Sequence, residues 1–284
     1  MREIAAKERP SSLGPRLITG IVGAALAVAG MLTLHSDYVF GVVFVMFTWA
    51  SVEFVRIVER IAPSAPLRLL WLWIPLAQIL GFLALRDDDG TVSPLLLFAV
   101  FFGVVAVASL SCLLSSADMR DGTVGMGLVA FAVPYFTLGS LGCYRAHQVG
   151  EWWLFLLLAI VALGDTFAFF TGRSFGKHKL APKVSPKKTW EGSTGGFVAS
   201  LVATAVWSYL RLGEVSLPLL GVAAVTAIVA QMGDLVESVV KRAGGVKDSS
   251  HVLPGHGGFY DRLDAMMLAA PAFVVGLWLT GLDA

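Results

Sequence analysis

QMGDLVESVVKRAGGVKDSSHVLPGHGGFYDRLD, running from Gln231 to Asp264, carries Asp234, Glu237, Lys241, Arg242, Lys247, Asp248, Asp261, Arg262 and Asp264. The chain around it is only 14% charged and has a mean hydropathy of +0.76. The stretch begins inside an apolar segment that starts near Leu217. At about 100° per residue, Gln231, Asp234, Ser238 and Lys241 fall on one wall of a helix, with Glu237 at its edge. A carboxylate inside a bilayer costs on the order of 3 kcal/mol even on lenient insertion scales. Asp234 therefore requires a cation, either a metal ion or a basic side chain.

Outward from this stretch, apolar runs of about 17 to 24 residues recur, each long enough to cross roughly 30 Å of hydrocarbon. The expected fold is all-α, a polytopic integral membrane protein forming a single transmembrane domain over 1–284. Nine spans are predicted: about Leu17 to Leu34, Tyr38 to Val55, Leu69 to Leu85, Pro94 to Leu114, Val124 to Leu141, Trp152 to Phe170, Gly195 to Leu212, Leu217 to Val240 and Ala265 to Leu282. Residues 1–150 read as scaffold helices and 151–284 as catalytic helices and loops. With the N-terminus inside, all of the 21 lysines and arginines except Arg86, Arg145 and Arg211 fall on one side. The positive-inside rule makes that side cytoplasmic.

The chain carries a formal net charge of only +1, so no nucleic-acid partner is expected. Cys112 and Cys143 sit in or at the end of apolar runs without CxxC spacing and read as small buried residues. Gly20, Gly23, Gly30, Gly125 and Gly127 permit close helix approach, which would also suit a homodimer. The acidic turn Asp87, Asp88, Asp89 is expected to be external and solvated.

A second polar segment follows the sixth span. Asp165 lies about five residues, or roughly 8 Å, before that span ends. Asp234 lies at a similar depth on the same side, and two nearby carboxylates would repel unless a divalent cation lay between them. From Thr166 to Trp190 there is no acidic residue, while Arg173, Lys177, Lys179, Lys183, Lys187 and Lys188 supply six positive charges. Pro182 and Pro186 exclude a continuous helix. Six cations beside a buried carboxylate favour a polyphosphate ligand, with Ser193, Thr194 and the free N–H groups at a helix start as further donors. Hard carboxylate oxygens suit Mg²⁺ better than Zn²⁺. His256 reads as a phosphate donor or a loop-structuring residue, and His251 as structural. Asp264 could cap the last helix. Asp261, close behind flexible glycines, is the better metal candidate.

Ser238, Lys241-Arg242, Lys247-Asp248, Pro254, His256-Gly257-Gly258 and Asp261-Arg262-Leu263-Asp264 resemble the signature of the phosphatidate cytidylyltransferases, or CDP-diacylglycerol synthases. Gly172-Arg173, Phe175 to Pro182 and Ser185 to Gly192 are similar to the same family, from which Phe167 departs by its bulk. The resemblance implies a membrane enzyme that transfers CMP from CTP to phosphatidate, giving CDP-diacylglycerol and pyrophosphate in phospholipid biosynthesis. It implies Mg²⁺ held by Asp234 and Asp261, with Asp165 and Asp264 as further candidates, and allows a second, monovalent cation such as K⁺. Arg173, Lys187 and Lys188 become candidates for the CTP phosphates, and Lys241, Arg242 and Lys247 for phosphatidate or pyrophosphate. Lys177, Ser185, Thr189, Ser238, Asp248, His256, Gly257, Gly258 and Arg262 become substrate-binding positions. The expected location is a bacterial inner membrane with the site facing the cytoplasm.

Two other classes fit parts of the pattern. An ion-coupled transporter would use Asp165, Asp234 and Glu237 as cation carriers but leaves two Gly- and Lys-rich loops on one face without a purpose. A CTP-dependent polyprenol or phytol kinase would release CDP rather than pyrophosphate.

Overall fold

In the computed structural model, the described residues are 29, 30, 32–86, 94–253 and 257–283. Eight long helices are present among them: α1 Ser36–Val58, α2 Leu70–Leu85, α3 Pro94–Ser115, α4 Met119–Val149, α5 Glu151–Phe175, α6 Trp190–Leu212, α7 Leu217–Ala243 and α8 Tyr260–Thr280. Seven of them are long and apolar enough to cross a membrane, α2 together with the 3₁₀ turn that precedes it. In α3 the apolar stretch Phe101–Ser115 is shorter. The second to ninth predicted spans each coincide with a helix. The first falls mostly outside the described residues, and His256 and the Asp87–Asp89 turn lie wholly outside them.

The helix ends follow local chemistry. Thr189 caps α6 by accepting from the Gly192 N–H at 3.1 Å, and Ser216 caps α7 with Pro218 in its first turn. Glycines in the left-handed region close α6 at Gly213 (φ 79°) and α8 at Gly281 (φ 66°). At 31 residues, α4 is roughly 46 Å long at 1.5 Å per residue, and it continues through Pro134.

Packing divides the bundle into a pair, α5 with α6, and a larger group in which α4 lies against α1, α2, α3 and α8 while α7 runs along α8. Phe54 of α1, Phe136 of α4 and Tyr260 of α8 meet edge to face, with ring centroids 5.3 and 5.7 Å from Phe54. Cys112 and Cys143 are buried. Large apolar side chains such as Leu72, Leu83, Val202 and Leu210 are exposed on helix exteriors, as lipid-facing surface should be.

Three details depart from the sequence reading. The connection between α5 and α6 contains an antiparallel hairpin, β1 Lys179–Ala181 and β2 Ser185–Thr189, so the fold is helical with one small exception. Pro182 sits in the turn between the two strands. The last helix begins at Tyr260 rather than near Ala265, with Phe259 in the capping position. Asp264 is therefore a helix-interior residue and not a cap. The expected scaffold half also reaches the C-terminal loops, through Glu53 of α1.

Candidate active site

One end of the bundle opens into a cavity of about 960 Å³ lined from α5, the hairpin, α6, α7, the loop after α7 and the start of α8. Gln231, Asp234, Glu237, Ser238 and Lys241 all line it. One helical wall carries them because the spacing of 3, 3, 1 and 3 residues keeps returning to the same side of α7.

The approach of α7 to α8 depends on Gly233. A Cβ there would come within 2.5 Å of the Asp264 carbonyl oxygen and 3.1 Å of the Ala265 Cα. Without that side chain the two backbones nearly touch, and the neighbouring Asp234 reaches Asp264. Carboxylate oxygens of Asp234, Glu237 and Asp264 lie within 4.8 Å of one another. Three hard oxygen donors at this separation fit a divalent cation of the Mg²⁺ type.

Two lysines are interleaved with the acids. Lys188, arriving from β2, pairs with Asp234. Lys241 stands between Glu237 Oε1 at 2.6 Å and Asp261 Oδ1 at 2.8 Å, and its side chain is only 12% exposed. Asp261 also accepts from the Ser249 N–H at 3.0 Å, the Ser249 hydroxyl at 2.9 Å and the Gly258 N–H at 2.9 Å. Its oxygens are thus committed to Lys241 and to the loop. Asp165 lines the same cavity but stands outside the close carboxylate group.

The basic side is built by the hairpin. Glu191, in the first turn of α6, accepts from the Lys177 N–H at 3.1 Å and the His178 N–H at 3.2 Å, and contacts His178 Nδ1 at 2.7 Å. The Trp190 N–H donates back to the His178 carbonyl at 3.0 Å. This folds the strands over the cavity and brings Lys179, Lys187 and Lys188 to its rim beside Arg173. Among the described residues six acidic and six basic side chains line the cavity. Most of the acids come from the helices and most of the bases from the hairpin side, so the charge is separated across the space.

Of the sequence candidates, Asp165, Arg173, Lys187, Lys188, Thr189, Asp234, Ser238, Lys241, Asp248, Gly257, Asp261, Arg262 and Asp264 line this one cavity. Lys177, Ser185, Arg242, Lys247 and Gly258 do not. Arg242 instead donates from Nη1 to the Val246 carbonyl at 3.3 Å and from Nε to the Val184 carbonyl at 3.5 Å, tying the hairpin turn to the loop after α7. Gly258 adjoins Glu53, and a Cβ there would strike both Ser249 Oγ and the Glu53 carboxylate. Phe167 faces a separate apolar groove between α5 and α6.

Among the polar lining residues, Lys179, His251, Gln231 and Glu237 were not assigned to the site from sequence. Glu237 had a legible signal, a carboxylate in an apolar helix four residues before Lys241. Gln231 had another, as the amide on the predicted polar wall. It donates to the Ser193 carbonyl at 3.1 Å and accepts from the Ser193 hydroxyl, linking α7 to α6.

The chain matches the model of the cytidylyltransferase family over residues 15–280. It belongs to that family. Its sequence is 45% identical over 130 residues to a phosphatidate cytidylyltransferase of Haemophilus influenzae, covering 42% of this chain and 44% of that protein. It is 41% identical over 141 residues to one of Staphylococcus aureus, covering 49% and 54%, and 43% identical over 132 residues to one of Pseudomonas aeruginosa, covering 44% and 48%. The chain thus spans about half the length of these curated relatives.

Proposed function

We propose that this chain is a phosphatidate cytidylyltransferase, which transfers CMP from CTP to phosphatidate and releases pyrophosphate. The observation that carries the reading is the single cavity in which an acidic helical wall faces lysines of the hairpin, at the end of a lipid-embedded bundle. The chemistry explains the charge separation. A phosphate oxygen of phosphatidate forms a bond to the α-phosphorus of CTP, and the bond from that phosphorus to the β-phosphate oxygen breaks. Both partners are anions, so holding them together requires positive charge placed in advance.

Asp234, Glu237 and Asp264 are the residues that would hold Mg²⁺, which supplies polarisation of a phosphoryl oxygen and charge neutralisation when bound. Lys187, Lys188, Lys179 and Arg173 take the triphosphate. Lys241 is held by Glu237 and Asp261 at the boundary between the acids and the substrate space, where its ammonium can pair with a phosphate without leaving its carboxylates. Asp261 orients Lys241 and the loop 244–253, and Arg242 fastens that loop to the hairpin. Arg262 and Asp248 complete the wall on the loop side. The phosphatidate phosphate is already ionised at neutral pH, so the reaction needs no strong general base.

The reading extends to a single transmembrane domain in a bacterial plasma membrane, with the N-terminus and the cavity facing the cytoplasm. It is supported by the segregation of lysines and arginines. A monovalent second cation and a homodimer belong to the same proposal. The test is purified protein with labelled CTP, phosphatidate and Mg²⁺. A lipid-soluble cytidine product with one pyrophosphate per turnover is expected. Release of CDP with a phosphorylated lipid would instead mean a kinase, and cation uptake into vesicles without CTP consumption a transporter.

A further inference from the structure

Glu53 lies within α1 and is completely buried. A carboxylate at that place must be met by donors, because burial without them is strongly unfavourable. Three donors converge on it, and all come from the far end of the sequence. Ser249 Oγ lies 2.8 Å from Oε2, Ser250 Oγ 2.6 Å from Oε1, and the Tyr260 N–H donates to Oε2 at 2.9 Å. Ser249 Oγ also lies 2.9 Å from Asp261 Oδ2, so one hydroxyl bridges the Glu53 and Asp261 carboxylates. Gly258 leaves the room in which these groups meet, and the Tyr260 ring packs on Phe54.

Glu53 itself does not line the cavity. We infer that Glu53 is a positioning residue that anchors the loop 249–253 and the first turn of α8, through Ser249, Ser250 and the Tyr260 amide, so that Asp261 holds Lys241 at the substrate space. This inference rests on the cytidylyltransferase reading for its effect on turnover, but the anchor itself is a matter of contacts. Because Glu53 touches no substrate, its loss disturbs the placement of Asp261 and Lys241 and leaves the hairpin lysines where they are. The signature is a fall in kcat with little change in the KM for CTP.

The experiment uses the purified full chain and compares Glu53→Ala, Glu53→Gln, Ser249→Ala/Ser250→Ala, and Glu53→Ala combined with the two serine changes. Two readouts are taken, steady-state kinetics and amide hydrogen exchange across 249–260. Glu53→Ala is expected to lower kcat about tenfold or more, the usual scale for a partner one shell behind the reacting groups, and to speed exchange in 249–260. Glu53→Gln should be intermediate, since one oxygen still accepts. Adding the serine changes to Glu53→Ala should produce a total loss well below the sum of the separate losses, because both act on one network. Wild-type kcat in folded Glu53→Ala, unchanged exchange in 249–260, or additive losses would each overturn the inference. If Glu53→Ala does not fold, wild-type kcat in both Glu53→Gln and the serine pair overturns it equally. If the unmodified protein transfers no CMP, the proposed function fails, and the exchange data alone then decide whether Glu53 is the anchor.

Discussion

Asp234 and Lys241 are the two residues on which the charge arrangement turns, and they do so differently. Asp234 is paired with Lys188 and lies in the only close carboxylate group found among the described residues. Asp234→Asn keeps the shape and removes the charge, so it should lower turnover by about 100-fold or more, roughly 2.7 kcal/mol of barrier, while the protein stays folded. Kinetics of the purified variant at saturating Mg²⁺ check this, and near-normal kcat would remove Asp234 from the cation site. Lys241 stands between the buried Glu237 carboxylate and the mostly covered Asp261 carboxylate. Lys241→Met would leave Glu237 and Asp261 facing each other without a counter-charge, a loss of about 3 kcal/mol by the measure of other broken buried pairs. Thermal denaturation in detergent should show that destabilisation, whereas an exposed control such as Lys247→Met should not. The polar wall bearing both residues was legible in the sequence because spacing along a helix fixes facing. The different partners of Asp261 and Asp264 were not, because they depend on where α8 starts and on loop amides that carry no side-chain signal.

At the scale of elements, the helices were readable from their apolar lengths, and their ends from residues such as Thr189, Ser216 and Gly213. The hairpin was only half readable. Pro182 and Pro186 excluded a helix, but nothing in a run of lysines announces strand pairing, and what fixes it is Glu191, which sits in the next helix. Its carboxylate gathers the Lys177 and His178 amides and the His178 ring. Glu191→Ala should therefore loosen the frame that presents Lys179, Lys187 and Lys188 together. The expected outcome is a rise of about fivefold in the KM for CTP, equivalent to about 1 kcal/mol for a lost set of surface-side hydrogen bonds. The kcat at saturating CTP should be nearly unchanged, and titration of initial rates with CTP checks both. A change confined to phosphatidate dependence would mean that the hairpin serves the lipid instead. Equally unreadable was the joining of α1 to the C-terminal loop, since Glu53 and Ser249 are 196 residues apart. The charge of Glu53 in an apolar span signalled a partner without naming it.

For the whole molecule, the cavity collects Arg173, Lys179, Lys187, Lys188, Lys241 and Arg262 at one end. Two of the three arginines assigned to the opposite side have partners in its helix ends and connections: Arg86 pairs with Asp37 at 3.1 Å, and Arg211 stacks over Trp152 at 4.0 Å. The connection between α6 and α7 there is short and fixed, with the Ser208 hydroxyl donating to the Glu214 carbonyl and accepting from the Ser216 N–H. On the proposed function, one orientation both satisfies the positive-inside rule and turns the cavity toward cytoplasmic nucleotide. Single-cysteine labelling tests it, and the background is low because Cys112 and Cys143 are buried. Lys183→Cys, in the hairpin turn, and Glu214→Cys, between α6 and α7, are both exposed positions at opposite ends of α6. A membrane-impermeant maleimide should label Glu214→Cys on right-side-out vesicles and Lys183→Cys only on inverted ones. The reverse pattern would put the hairpin lysines outside, away from any cytoplasmic CTP, and labelling of both from one side would mean that α6 does not cross the bilayer.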